Sequence, residues 1–349
     1  MRKSILVLVA FTGSMTGRIA AAEETTPANE PAAEEAAPQE PASDRATPAD
    51  VAGVVGAMRE QITAAGRTPV CDEQAGRCRY SFEAAGARRE VQLWYNATTH
   101  TIYVFVNHLA EARATSPANL RLLQHLAAAS WVMGAARFEW NRADGEVRLS
   151  AVQNVDTAFD RAALRRLLQL IETAVGRYEP EIEQILANPQ GAPAAPAPPE
   201  TAEPSTVTDT HGYMDAIETE LRALGVEPTC EVPRGRCVYN LESQTATTSF
   251  SVTVTYSPTD NTVMVSVDRY LSTPPPNPRT ARLFQRLIEL NWQQLVPMFQ
   301  WNSRTNQVRL AGVMSADTNF DRRAFRGVVQ AVQAAGERNY RPLRALLGP

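Results

Sequence analysis

This chain of 349 residues carries 34 Lys and Arg against 38 Asp and Glu, a formal net charge of -4, and no basic patch stands out. That balance argues against nucleic acid or anionic lipid as the main partner. Lys3 is the only lysine, so Schiff-base chemistry and a lysine-dependent phosphate loop are excluded for a chain that has lost its first residues.

The N-terminus places Arg2 and Lys3 before an apolar stretch from Ser4 to Met15, then small residues ending in Ala20-Ala21-Ala22. This is the three-part pattern of a secretory signal peptide, with cleavage expected after Ala22. The apolar run is well short of the ~20 residues that cross a bilayer, and no cysteine follows for lipid attachment. Segment 23–48 is rich in Ala, Glu and Pro and nearly lacks large apolar residues, so it is read as disordered. Residues 23 to 50 hold eight acids against Arg45 alone. The chain beyond them is therefore neutral overall once 1–22 is removed.

Two segments, 49–187 and 212–349, are copies of one domain joined by a proline-rich spacer, 188–211. "AMREQITAAGRTPVC" aligns with "AIETELRALGVEPTC", and "GRCRY" with "GRCVY", at an offset of 159. Later the offset is 161: Trp131 pairs with Trp292, Phe138 with Phe299, Trp140-Asn141 with Trp301-Asn302, and "DTAFDR" with "DTNFDR".

Within each copy the elements follow from periodicity. A helix over about 49–65 has Val51, Val54, Val55, Met58 and Ile62 on one face and stops at Gly66; its counterpart is 214–224, closed by Gly225. The next feature is "CDEQAGRC", repeated as "CEVPRGRC". Zinc sites favour closer cysteine spacing with histidine partners, and a C-x-x-C redox motif is absent. Each pair flanks a turn between two strands, so in an oxidising compartment the pairs Cys71 with Cys78 and Cys230 with Cys237 are expected to be disulfides.

A strand meander follows, with Val91, Leu93 and Tyr95 on one face, then Ile102, Val104 and Val106. A second helix carries Leu120, Leu123, Leu126 and Trp131, matched by Leu283, Phe284, Leu287, Leu290 and Trp292. A hairpin turning at Asp144-Gly145 sets Phe138, Trp140, Val147 and Leu149 inward. A long amphipathic helix ends the copy, with Thr157 and Asp160, or Thr318 and Asp321, at capping-box spacing. The order predicts an α+β fold, two copies of an antiparallel sheet packed with helices.

The leucine-spaced helix ending in Asn291-Trp292, the F-x-W strand, the "VRL" strand and a final helix closing at Tyr340-x-Pro342 resemble the YbjN-like family of bacterial sensory transduction regulators. The resemblance implies a fold related to type III secretion chaperones. It also implies an internal pseudo-dimer of the tandem copies, and it brings no catalytic residues.

For chemistry the sequence offers little. Trp131, Trp140, Trp292 and Trp301 are read as core, and Asp156, Asp160, Asp317 and Asp321 as helix-capping acids. Arg148 and Arg309 alternate with apolar residues of their strands and so lie on the outer face. With Trp94, whose counterpart is Thr255, they are the candidate partner-facing residues. The histidines do not recur between copies, and no hydrolase, metalloprotease or nucleotide motif occurs after the signal. The expected function is an exported (periplasmic or secreted), non-enzymatic protein that binds protein or peptide segments, with no cofactor, metal or stable membrane insertion. The alternative is a small-ligand-binding sensory module of the cell envelope.

Overall fold

The computed structural model describes residues 51–155, 160–190, 210–243, 249–274, 277–316 and 320–348. The signal peptide, the acidic segment 23–48, most of the linker, and the capping candidates Asp156, Thr157, Asp317 and Thr318 lie outside the described residues.

The first half runs α1 (Val51–Ala64), β1 (Val70–Asp72), β2 (Arg77–Ala84), β3 (Ala87–Asn96), β4 (Thr101–Glu111), α2 (Asn119–Met133), β5 (Ala136–Trp140), β6 (Glu146–Asn154) and α3 (Arg161–Ala187). The second half repeats the order as α4 (Thr210–Ala223), β7 (Thr229–Glu231), β8 (Arg236–Glu242), β9 (Ser249–Ser257), β10 (Thr262–Ser272), α5 (Pro278–Gln293), β11 (Met298–Asn302), β12 (Gln307–Ser315) and α6 (Arg322–Leu347). A single turn of 3-10 helix at Val232–Arg234 joins β7 to β8. The fold is α+β, with two six-stranded antiparallel sheets of order β1-β2-β3-β4-β6-β5 and β7-β8-β9-β10-β12-β11.

Alternation along the strands builds the core. Val91, Leu93, Ile102, Val104, Phe138, Trp140, Val147 and Leu149 are all fully buried, with Leu164, Ile171 and Tyr178 of α3 among the residues of the same core. Phe250, Val252, Val254, Val263, Val265, Phe299, Val308 and Leu310 do the same beneath α6. At the end of α1 the Arg67 amide donates to the Ile62 carbonyl, with Gly66 at φ +73, so the last turn closes on a left-handed glycine. Both halves carry the same irregularity in their fourth strand: the register slips between Val106 and Ala110, and between Val267 and Leu271. His108 and Arg269 sit there at φ +53 and +56. Gly145 cannot be replaced at the β5–β6 turn, because a Cβ would lie 2.8 Å from the Ala112 carbonyl carbon.

The structure moves three sequence expectations. The long helices open later than "DTAFD" suggests: Asp160 and Asp321 are themselves the N-caps, accepting from the Ala163 and Ala324 amides at 2.9 Å. They also do not close at proline. Pro180 and Pro342 lie inside α3 and α6, because Ile182, Ile185 and Leu343 beyond them still bury apolar surface, which offsets the missing amide bond. Helix α4 begins at Thr210, inside the segment read as linker.

The cysteines close the first hairpin of each half. Cys71 faces Cys78 across β1 and β2, and Cys230 faces Cys237 across β7 and β8, bonded with Cα atoms 4.1 and 4.0 Å apart. No helix among the described residues is long and apolar enough to cross a membrane.

Candidate functional site

The face of each sheet opposite its core carries the candidate residues, and the structure brings two of them to one place. Arg148 of β6 and Arg309 of β12 both point away from their own core, as alternation requires, but neither is solvated. The Arg148 guanidinium lies 3.6 Å from the ring centre of Trp292, and that of Arg309 lies 3.9 Å from Trp131. Each arginine thus stacks on the tryptophan that ends the second helix of the other half, α5 or α2. Cation–π stacking of this kind is worth about 0.5 to 2 kcal/mol, more when desolvated. This corrects the reading of Trp131 and Trp292 as core residues of their own copy: both are half-buried and face the opposite sheet.

Backbone capture surrounds these stacks. Asn291 of α5 donates to the carbonyls of both Phe138 and Phe299, at 3.2 and 3.0 Å, and accepts from the Phe299 amide. Gln300 donates to the Ser130 and Gly134 carbonyls, and Arg137 to the carbonyls of Pro297 and Gln294. Gln285 reaches Asn119 Oδ1 at 2.9 Å and the Ala114 carbonyl. Helices α2 and α5, with the edge strands β5 and β11, therefore hold the two halves together.

The polar centre differs between halves. In the first, Glu139 has no exposed surface, and it accepts from Arg137, Arg148, the Ser150 hydroxyl and the Tyr103 hydroxyl. Burial first, and then the Glu139 charge, push the Tyr103 phenol well above its usual range, so it stays a donor. At the matching positions of the second half stand Met298, Gln300, Arg309, Ala311 and Met264. There Gln300 Oε1 accepts from Arg309, which is only 8% exposed. Burial pulls the Arg309 guanidinium down to about 10, still far above neutrality, so the half buries a cation shielded by an amide and an indole.

Trp94 lies apart from this interface, 39% exposed, under Arg77 at 4.4 Å and edge-on to Phe105. With Val70, 59% exposed, it lines a hollow of about 340 Å³ beside the first disulfide. Two grooves lie at matching places between the halves. One of about 780 Å³ runs between the turn 98–101, the loop 293–297 and α6. The other, of about 290 Å³, lies between the loop 132–135, α3 and the outer face of β9 and β10, where Thr255 and Met264 line it. Among the described residues no cluster of three or more His, Cys, Asp or Glu is arranged to hold a metal ion.

Sequence reasoning missed Glu139, Gln300, Asn291 and Arg137. A carboxylate between two core aromatics, as in Phe138-Glu139-Trp140, reads as solvent-facing because alternation fixes which face a residue takes but not what covers that face. The recurrence of a polar residue at 139 and 300, opposite Arg148 and Arg309, was the available signal.

No family model matches this chain, and comparison with curated proteins gives no match. Among solved structures, one of the ExsC–ExsE complex is similar at 14% identity and a TM-score of 0.31, covering 39% of this chain and 97% of that one. A HopA1–SchA chaperone–effector complex is similar at 12% identity and a TM-score of 0.29, covering 38% of this chain and 95% of that one. The di-domain ARO/CYC protein StfQ matches at 10% identity and a TM-score of 0.15, over 87% of this chain and 95% of that one.

Proposed function

We propose that this chain is an exported, non-enzymatic protein that binds protein or peptide segments, built from two YbjN-like domains, 49–187 and 212–349, held as an internal pseudo-dimer. The reciprocal stacks of Arg148 on Trp292 and Arg309 on Trp131 support the pseudo-dimer, and they turn the two arginines toward the other copy rather than toward an outside partner. The two disulfides support an oxidising compartment, periplasmic or extracellular.

The observation that carries the binding function is the edge of β2, which among the described residues is paired only by the short β1. Strand β1 covers only Arg77 to Arg79 of an eight-residue strand, and Pro69, which has no amide hydrogen, precedes it. The Cα separation of 4.1 Å at Cys71 and Cys78 marks a narrow, non-hydrogen-bonded pair. Alternation then turns the amides and carbonyls of Arg79, Ser81 and Glu83 toward this edge, and the last two lie beyond the end of β1. Asn240 and Glu242 of β8 are in the same position beyond β7. Backbone groups in such a row receive an extended segment as an added strand.

A displayed peptide library selected on the wild-type protein tests this. Enriched peptides are expected to lose binding to a protein carrying Ser81→Pro and Glu83→Pro, which removes two outward donors and leaves the β3 side of the strand intact. Equal binding to both proteins, or no enrichment, contradicts the proposal. One observation favours the sensory alternative: Thr255 lines the groove of about 290 Å³ while its counterpart Trp94 lines a separate hollow beside the first disulfide, the asymmetry a single ligand site would have.

A further inference from the structure

The two grooves between the halves occupy matching positions, yet one is larger, and their linings differ along the long helices. Along α3 the groove wall presents Arg166, Leu170 and Thr173. At the same places α6 presents Gly327, Ala331 and Ala334. Three side chains on this helix face are thus shorter beside the groove of about 780 Å³ than beside the one of about 290 Å³. Gly327 has a right-handed helical backbone and nothing within 4 Å of where a Cβ would sit, so neither conformation nor crowding demands a glycine there.

Charge separates the grooves as well. Helix α3 carries four arginines and four glutamates, whereas α6 carries six arginines against Glu337 alone. Every fixed charge lining the larger groove is positive: Arg323, Arg326 and Arg338. Glu220 of α4 pairs with Arg326 and also with Arg322, and among the described residues no such ion pair engages Arg338. Gln294 of the loop opposite lines the groove, with its Oε1 buried and without a hydrogen-bond partner among the described residues. From Arg323 to Arg338 the groove follows about 22 Å of helix at 1.5 Å rise per residue, the length of roughly seven residues of extended chain.

We infer that this groove takes an acidic segment of a partner protein, with its carboxylates against Arg323, Arg326 and Arg338 and its small apolar side chains against Gly327, Ala331 and Ala334. The site is separate from the edge of β2, so either can fail without the other. Since the rest of the chain from residue 51 is close to neutral, the attraction is local to α6 and short-ranged, falling as salt rises.

The test uses the disulfide-bonded protein and a labelled peptide in which Glu and Asp alternate with Ala and Leu, followed by fluorescence anisotropy. Controls are a peptide with Arg in place of the acids, a single-stranded oligonucleotide and inorganic phosphate. The acidic peptide is expected to bind and to weaken with salt. Arg338→Glu is expected to weaken it about tenfold, the equivalent of one charge-assisted contact. Ala331→Leu with Ala334→Thr, the residues α3 carries at those positions, is expected to do the same by closing the groove. Both variants should keep the wild-type thermal transition, and Ser81→Pro with Glu83→Pro should leave this binding unchanged. The inference is overturned if the acidic peptide does not bind, if the Arg peptide binds equally, or if neither α6 variant weakens binding. Tighter binding of the oligonucleotide at the same surface also overturns it, and so does full displacement by phosphate.

Discussion

The first and second halves of this chain share their skeleton down to a strand irregularity, yet they differ where they meet and where they face outward. Glu139 gathers two arginines, a serine and a tyrosine in the first half. Its counterpart Gln300 serves Arg309 and two backbone carbonyls in the second. Helix α3 balances its charges and helix α6 does not. Duplicated cores are held by packing, which tolerates little change, while surfaces brought together by duplication were free to become complementary rather than identical.

The largest test of that contrast is at the polar centre. Glu139→Ala leaves Arg137 and Arg148 without their carboxylate and should cost about 3 to 5 kcal/mol of unfolding free energy. Gln300→Ala removes a neutral acceptor and should cost less, about 1 to 3 kcal/mol. Denaturant titration of both variants reads the difference, and equal losses would mean that the two centres are energetically alike.

A second contrast lies on α2 and α5. His125 is buried with Glu181 Oε2 3.2 Å from its Nε2 and Tyr178 edge-on; Arg121 lies on its own helix, and Arg177 binds Glu181. Burial first, then the Arg121 charge, push the imidazole down to about 4. The unfolded chain, with an ordinary pKa near 6.5, therefore binds the proton more readily. Stability contributed by neutral His125 is full above about 6.5 and is lost as pH falls toward 4, by roughly 3 kcal/mol. Its counterpart Arg286 pairs with Glu289 at the surface. Unfolding across that window should flatten in His125→Phe, with Glu181 titrating in both proteins. An unchanged slope would remove His125 from the account.

The smallest expected contrast is none. The two disulfides close loops of equal length in equivalent hairpins, so Cys71→Ser with Cys78→Ser, and Cys230→Ser with Cys237→Ser, should each cost roughly 2 to 3 kcal/mol by loop-closure entropy. Thermal unfolding of the two double variants compares them. A large inequality would show that one hairpin matters more to the fold than its twin.

Much of the skeleton was legible because its signals are local. Period-two alternation placed Val91, Leu93, Ile102 and Val104 on one face, and the cysteine pairs flanked a turn. What stayed hidden depends on how the halves meet. A helical stripe that includes Trp131 cannot say whether the indole meets its own sheet or another. The alternation at Arg148 gives the outer face without its cover. Pro342 reads as a stop because the buried Leu343 beyond it is a tertiary fact. The two grooves arise only from the juxtaposition of one half's turn with the other half's long helix.

The claim on which the rest stands is that the tryptophan ending each second helix lies on the other half's sheet. Replacing Trp292 with the photo-crosslinking residue benzoylphenylalanine, irradiating dilute protein and mapping the peptides measures this directly. The account predicts a cross-link within one chain to the strand 146–154 around Arg148. The mirror substitution at Trp131 should give one to 307–315 around Arg309. Cross-links to the half's own sheet, or only between molecules, would contradict it.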